Sequence, residues 1–245
     1  MFRSRSWTTT GLLTLWAASA LAQAPLLAAF SAAPGPAAPA PWRVAGLPGG
    51  KVPLARITLA EVDGTRVAQL ATEGSYGTLV HDITPWVPTP GATLAWRWRL
   101  DQALAHADLR TREGDDAALK VCVMFDLPLS ALPFGERTLL RMARAISGEP
   151  LPAATLCYVW DPALPAGTTL PNAYSARVRW RVLDGPASPL RQWRSHRQNL
   201  SADFLQAFGH ESTTVPPILA VVIGADSDNT AGTSLAYVGD LRLEP

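Results

Sequence analysis

The chain has 245 residues, of which 48% are hydrophobic and 17% are charged, and its formal net charge is +1. This charge balance excludes the strongly basic surface of a dedicated nucleic-acid binder, and the hydrophobic content excludes a disordered chain. Two cysteines are too few for a disulfide-dense mini-protein. The length fits one folded domain with a single sizeable core.

The first 24 residues have the pattern of a secretory signal peptide. Arg3 and Arg5 precede a short apolar run, Gly11 to Leu21, and small residues suited to cleavage follow it. An uncleaved anchor is the alternative, but a spanning helix needs about 20 largely apolar residues. We therefore predict a periplasmic or secreted protein with no membrane span after cleavage. Residues 25–41, rich in Ala and Pro, predict a linker, so that a single domain occupies residues 42–245.

Beyond the linker, the dominant pattern is an alternation of apolar and polar side chains with a period of two. The clearest hairpin has Asp63 and Gly64 at its turn, a pair that tolerates positive φ. Two segments predict short helices, Glu136–Ile146 and Ala202–Phe208, with Ser201 capping the second. This pattern predicts an all-β fold, an antiparallel β-sandwich or jelly roll with one or two short connecting helices. The predicted strands are Leu54–Ala60, Thr65–Ala71, Gly77–Thr84, Ala92–Leu100, Ala117–Phe125, Thr155–Trp160, Ser175–Leu183, Leu190–Gln198, Ile218–Ala225 and Leu235–Leu243.

The same alternation assigns side chains to faces of the sheets. Trp96 and Trp98 should enter the core while Arg97 and Arg99 point away, and the segment Arg177–Val182 repeats the pattern. Arginines gathered on one sheet face would suit carboxylate, sulfate or phosphate groups of a ligand, and a solvated sheet face is the alternative. The candidate ligand-binding residues are Arg97, Arg99, Arg177, Arg179, Arg181 and Trp193.

Nine tryptophans are present, and the positions of Trp42, Trp86 and Trp193 do not place them in the core. Exposed indoles on a sandwich stack on sugar rings, whereas packing under loops is the alternative interpretation.

Acidic and amide side chains cluster before one predicted strand and between the last two. Their oxygens would suit Ca²⁺, which takes six to eight oxygen ligands. The alternative is structural, because Asp and Asn also cap turns and pair with arginines. The candidate metal ligands are Asp115, Asp116, Asp226, Asp228, Asn229 and Asp240.

Cys122 and Cys157 both lie on predicted strands. In an oxidising compartment a disulfide between them is one expectation, and two isolated buried thiols are the other.

Several motifs occur in order along the chain and carry a family resemblance. They are Arg112–Asp116 leading to Val123–Asp126, then Tyr158–Trp160, Pro171–Tyr174, Asn199 with Asp203–Phe204 and Phe208–Gly209, and finally Asp226–Thr230 with Tyr237–Asp240. From about Trp42 onward, the chain resembles the bacterial DUF3047 family. The resemblance implies an exported β-sandwich domain, and it assigns no catalytic residue because the family's function is unknown.

Three functional classes remain. We predict a non-catalytic module that binds a glycan or another, anionic, cell-envelope ligand, with Ca²⁺ as an optional cofactor. The alternatives are a carbohydrate-active enzyme, a lyase or hydrolase acting on an acidic polysaccharide, and a structural envelope scaffold. A hydrolase would need paired carboxylates such as Asp115 and Asp228. A lyase would need an arginine such as Arg179 near His196 or Tyr174.

Overall fold

The computed structural model describes residues 26–147 and 151–245, and the predicted signal peptide lies outside these residues. In the described part, 13 strands form two sheets and two α-helices connect strands. The strands are Arg43–Ala45 (β1), Arg56–Val62 (β2), Thr65–Glu73 (β3), Tyr76–Trp86 (β4), Thr93–Gln102 (β5), Lys120–Phe125 (β6), Ala154–Trp160 (β7), Thr169–Pro171 (β8), Val178–Asp184 (β9), Arg194–Asn199 (β10), Ile218–Asp226 (β11), Thr233–Val238 (β12) and Arg242–Glu244 (β13). The helices are Phe134–Ser147 (α1) and Leu200–Phe208 (α2).

The two sheets stack face to face as a sandwich, which confirms the predicted fold class. The seven-stranded sheet has the order β1-β4-β11-β6-β7-β9-β8, and the six-stranded sheet has the order β10-β5-β12-β3-β2 with β13 also paired to β5. All strand pairs in these sheets are antiparallel except β7 and β9, which run parallel. None of the helices in the described residues is long and apolar enough to cross a bilayer.

The core lies between the sheets and follows the alternation along each strand. On β5, Trp96 and Trp98 are buried while Arg97 and Arg99 lie on the outer face, as predicted. From the opposite sheet, Tyr158 packs against Trp96 with ring centroids 5.3 Å apart. Because indoles and phenols bury large apolar areas, these contacts between the sheets are a major source of stability.

Local signals in the sequence account for some of the element boundaries. Asp63 and Gly64 both have positive φ, 51° and 72°, so the predicted hairpin turn between β2 and β3 is confirmed. The cap of α2 differs from the prediction: the Asn199 side chain accepts a hydrogen bond from the Ala202 amide, and Ser201 donates to the Thr89 carbonyl. The last predicted strand is two strands, β12 and β13.

The predicted linker differs from the structure over its described part. Phe30 is fully buried, with its ring centroid 5.0 Å from that of Trp42. The Ala28 amide donates to His81 Nε2, and the Ser31 amide donates to Asp240. Residues 28–36 therefore pack on the sandwich, with Phe30 buried as an apolar plug. The Ala- and Pro-rich composition of the segment did not predict this packing.

Of the two interpretations of Trp42 and Trp86, sugar stacking and packing under loops, the structure supports packing. Both residues are buried, and Trp42 donates its indole N–H to the Ala28 carbonyl at 2.8 Å. Loop-closing packing thus accounts for these two tryptophans.

A buried carboxylate ties the two sheets together. Asp184, at the end of β9, is fully buried and accepts hydrogen bonds from Trp98 Nε1 at 2.7 Å and Arg194 Nε at 2.8 Å. His196 Nε2 lies 2.9 Å from its second oxygen, and Ser188 donates to the first. Burial alone would raise the pKa of Asp184, but the hydrogen bonds from His196, Trp98 and Ser188 outweigh it and lower the pKa to about 2.

Candidate functional site

A cleft of about 730 Å³ lies on the outer face of the seven-stranded sheet, the face turned away from the core. Helix α1 and residues 151–152 form one wall, and residues 172–178 form another. A volume of this size accommodates a small organic ligand or a short oligosaccharide. We call it the outer cleft. Its lining residues are Tyr76, Thr78, Asp115, Lys120, Cys122, Met124, Glu136, Leu139, Leu140, Ala143, Leu151, Pro152, Thr155, Cys157, Asn172, Tyr174, Ser175, Ala176, Arg177, Val178, Trp180, Val222 and Asp226.

The floor of the outer cleft is a second, smaller apolar cluster on the sheet. Cys122 and Cys157 lie directly opposite each other on β6 and β7 and are joined by a disulfide, with Cα atoms 4.0 Å apart. Val222 and Trp180 flank the disulfide in the same row of the sheet. The disulfide, one of two alternatives from the sequence, is therefore present, and it forms part of the floor.

One end of the floor carries a buried ion pair. Lys120 Nζ lies 2.8 Å from an Asp226 carboxylate oxygen, and both side chains are almost fully buried. The ammonium group also lies 4.9 Å from the ring centroid of Tyr76. Burial alone would lower the pKa of Lys120, but the Asp226 carboxylate outweighs it and holds the pKa above its ordinary value. Lys120 is therefore protonated, and the Asp226 carboxylate balances its positive charge.

Asp115 stands at the same end. Its Oδ2 accepts a hydrogen bond from Asn172 Nδ2 at 2.6 Å, which links the turn before β6 to the wall formed by residues 172–178. Burial raises the pKa of Asp115 to about 6, although the Asn172 hydrogen bond opposes the change. Tyr174 continues this wall; it is 57% exposed and its hydroxyl donates to the Arg112 carbonyl.

Arg177 supports the cleft from the side of α1. Its guanidinium pairs with Glu136 of α1 and donates to Glu211 at 2.9 Å, and Arg179 reaches the same Glu211 carboxylate. Burial would raise the pKa of Glu211, but its contacts with Arg177 and Arg179 outweigh that effect and lower it. The two positive charges of Arg177 and Arg179 are therefore balanced by two carboxylates.

Apart from Glu136 Oε2, which pairs with Arg177, three lining residues have buried polar atoms without hydrogen-bond partners in the part of the chain that the structure describes. These atoms are Asp115 Oδ1, Arg177 Nε and Trp180 Nε1. Buried polar groups are nearly always hydrogen-bonded, so each exception calls for an explanation. One acceptor and two donors border the same cleft.

The structure brings only some of the predicted metal ligands together. Carboxylate oxygens of Asp116, Asp226 and Asp228 lie within 4.8 Å of one another. Asp116 accepts hydrogen bonds from the Asn229 amide at 3.1 Å and the Thr230 amide at 2.7 Å. Asp226 accepts from the Ala117 amide and pairs with Lys120. These contacts match the structural alternative of turn capping and ion pairing.

The remaining predicted metal ligands are engaged elsewhere. Asp240 accepts from Ser31, and Asp115 pairs with Asn172. The Asn229 side chain donates to the Arg112 carbonyl.

We expect calcium to have little effect on stability. The Lys120 ammonium already serves as the counter-ion of Asp226, and both Asp116 oxygens accept hydrogen bonds from backbone amides, so a bound cation would compete with these contacts. Melting curves in excess CaCl₂ and in EDTA should agree to within about 1 °C, whereas a site filled at 100 times its dissociation constant would add about 2.7 kcal/mol. A clear rise of the midpoint with CaCl₂ that is lost in Asp228→Asn would contradict this expectation.

The prediction that the arginines share one sheet face is wrong. Arg97 and Arg99 lie on the outer face of the six-stranded sheet, whereas Arg179 and Arg181 belong to β9 in the other sheet. Arg181 pairs with Asp203 of α2 at 3.0 Å. Strand alternation determines which side chains of one strand point to the same side, but it does not determine which sheet the strand joins.

Trp193 lies against the outer face of the six-stranded sheet. The Arg97 guanidinium carbon is 4.5 Å from its ring centroid, and its indole N–H donates to Asp63. The catalytic groupings considered for a lyase are not assembled either: Arg179 packs on Phe208, His196 bonds Asp184 between the sheets, and Tyr174 lines the outer cleft.

Most of the cleft residues were not predicted from the sequence as a site. Asn172 and Tyr174 fall within one of the motifs of the family resemblance, which is the signal that pointed to them. Trp180 was expected to face the core, but the register of β9 on β7 pairs it with Cys157, so Trp180 lies beside the disulfide on the outer face.

The sheets and the cleft together define a two-sheet β-sandwich with a ligand-sized depression on one outer face. The chain belongs to the family described as protein of unknown function DUF3047, whose sequence pattern matches residues 40–242. The resemblance seen in the sequence is thereby confirmed. A comparison with curated protein sequences finds no match.

Solved structures of similar fold include carbohydrate-active proteins. Endoglucanase 3 of Trichoderma harzianum, from family GH12, is 10% identical with a TM-score of 0.43, over 84% of this chain and 99% of that chain. TmCBM61, solved with β-1,4-galactotriose, is 9% identical with a TM-score of 0.33, over 83% and 88%. A cellulose-specific module, CBM28, is 13% identical with a TM-score of 0.35, over 77% and 80%. At these identities the likeness concerns the fold alone.

Proposed function

We propose that this protein is an exported, non-catalytic module that binds a cell-envelope glycan in the outer cleft. The observation that carries the proposal is the set of unpartnered polar atoms, Asp115 Oδ1, Arg177 Nε and Trp180 Nε1, on residues that line one cleft. Sugar hydroxyls both donate and accept hydrogen bonds, so a glycan that displaces the surrounding side chains slightly can satisfy acceptor and donors together.

Aromatic rings supply the second element of glycan recognition. Tyr174 stands exposed at the rim and Trp180 forms part of the floor. Apolar ring faces pack well against the C–H faces of sugars, while the polar groups fix orientation. The disulfide supports an extracytoplasmic location, because such bonds persist in oxidising compartments.

The charges of the lining carboxyls support binding without catalysis. Glycoside hydrolysis ordinarily uses two carboxyl groups with separated pKa values. Glu136 is paired with Arg177 and Asp226 with Lys120. Among the described lining carboxyls this leaves Asp115 as the one outside an ion pair.

Tyr174→Ala should weaken glycan binding about five- to tenfold, because it removes one aromatic contact and leaves the core intact. The measurement is isothermal titration of the purified protein against oligosaccharides of bacterial envelopes and plant cell walls. Trp193→Ala is the matched control: it removes an aromatic ring that also carries a stacked arginine, on the opposite sheet. Its affinity should equal that of the wild type.

Other results would favour the alternatives. Release of reducing ends or unsaturated products, abolished by Asp115→Asn, would establish the carbohydrate-active enzyme. Equal loss of binding in the Tyr174 and Trp193 variants would place the site elsewhere. If none of the glycans binds, the structural envelope scaffold is the remaining alternative.

A further inference from the structure

The outer cleft is polar at one end and apolar at the other, and the strand register shows the direction of the change. Lys120 and Asp226 mark one end, and Asp115 lies within reach of both charges there. Four residues further along β6 lies Met124, paired with Thr155 of β7. At about 3.3 Å per residue, the two ends are about 13 Å apart.

The apolar end is built by the connection between β6 and β7. Helix α1 contributes Leu139, Leu140 and Ala143 to the lining, and Leu151 and Pro152 follow it. Two of the charged groups near this end, Arg177 and Glu136, pair with each other. The part of a ligand that lies at this end would therefore contact mainly apolar side chains.

The apolar lining continues onto the surface of α1. Leu139, which lines the cleft, is 66% exposed, and Met142 and Ile146 are exposed beside it. Their spacing, three and then four residues, places them along one stripe of the helix. Of this stripe, Leu139 lines the cleft, so a hydrocarbon chain filling the cleft would cover Leu139 and leave Met142 and Ile146 in solvent.

We propose that the ligand is an amphipathic glycan, a saccharide carrying a hydrocarbon chain. The saccharide would lie at the end marked by Lys120, Asp226 and Asp115, and the chain would run over the disulfide and Met124 to Leu139 on α1. This inference rests on the proposed glycan-binding function and names the ligand class of the same cleft. The ligand would take this orientation because its polar end then meets the polar end of the cleft. In the reverse orientation, sugar hydroxyls would be buried against carbon and would lose their hydrogen bonds.

The test is a titration of the full-length folded protein with alkyl β-glucosides and alkyl β-maltosides, from methyl to octyl, all below their micelle concentrations. Each added methylene that enters the cleft should raise the affinity about fourfold until the apolar end is filled. Leu139→Gln should flatten this dependence on chain length. Ile146→Gln is the matched control, because Ile146 is on the same helix and exposed, but does not line the cleft. Its dependence should equal that of the wild type.

The outcomes separate this inference from the proposed function. If free oligosaccharides bind and an alkyl chain adds nothing, the amphipathic ligand is ruled out and glycan binding stands. A zwitterionic octyl sulfobetaine that binds as tightly as octyl maltoside, with no binding of free oligosaccharides, would overturn both, because no sugar would be recognised. Equal flattening in the Leu139 and Ile146 variants would show that the chain adsorbs to the helix surface and would also overturn the inference.

Discussion

Replacing Asp184 with alanine is expected to lower the free energy of unfolding by about 3–5 kcal/mol, the cost of breaking a buried charged network. The carboxylate is fully buried and bonds Trp98 and Arg194 from the six-stranded sheet. Its removal leaves those donors and His196 without an acceptor between the sheets. Urea denaturation gives the measurement.

The control for this variant is Asp82→Ala, which removes an exposed ion pair with Arg43. Such pairs contribute between 0 and about 1 kcal/mol, so this variant should unfold close to the wild type. Should Asp184→Ala fail to fold, Asp184→Asn keeps the shape and one acceptor oxygen and remains measurable. A loss of less than about 1 kcal/mol in both Asp184 variants would contradict the assigned role.

Acid provides an independent measure of the same network. The pKa of Asp184 is lowered from 3.8 to about 2, so its charged form stabilises the fold at pH values above 3.8. That contribution, about 2 kcal/mol, disappears as the pH falls toward 2. The stability difference between wild type and Asp184→Asn should therefore shrink over this range.

Removing the disulfide is expected to have a comparable effect. Cys122 and Cys157 are 35 residues apart in sequence, and closing a loop of that length restricts the unfolded chain by about 4 kcal/mol. The double variant Cys122→Ala with Cys157→Ala should lose roughly this amount in urea denaturation, because the two strands stay paired by backbone hydrogen bonds on either side.

Comparison with the reduced wild-type protein controls for packing. Reduction keeps both sulfur atoms in the cleft floor, whereas the double alanine variant also removes them. Similar losses of unfolding free energy in the two samples would show that the disulfide acts by restricting the unfolded chain. No loss on verified reduction would contradict the expectation, and labelling of thiols in denaturant verifies the reduction.

Local patterns in the sequence determined the sandwich itself. Period-two alternation placed Trp96 and Trp98 in the core, and Asp63 with Gly64 marked the hairpin turn, because both signals act over a few residues. The short strands β1 and β8 gave no such signal, since three residues are too few to show a period. The buried plug at Phe30 was hidden by its Ala- and Pro-rich surroundings.

The candidate site depended on tertiary structure. Whether Arg179 shares a face with Arg97 depends on which sheet each strand joins, and pairing between distant strands is not encoded in either strand's alternation. The outer cleft likewise arises where the parallel pairing of β7 and β9 sets Trp180 beside the disulfide and where α1 folds back over β6. The sequence thus determined which side chains share a face within each strand, and only long-range packing decided which faces meet.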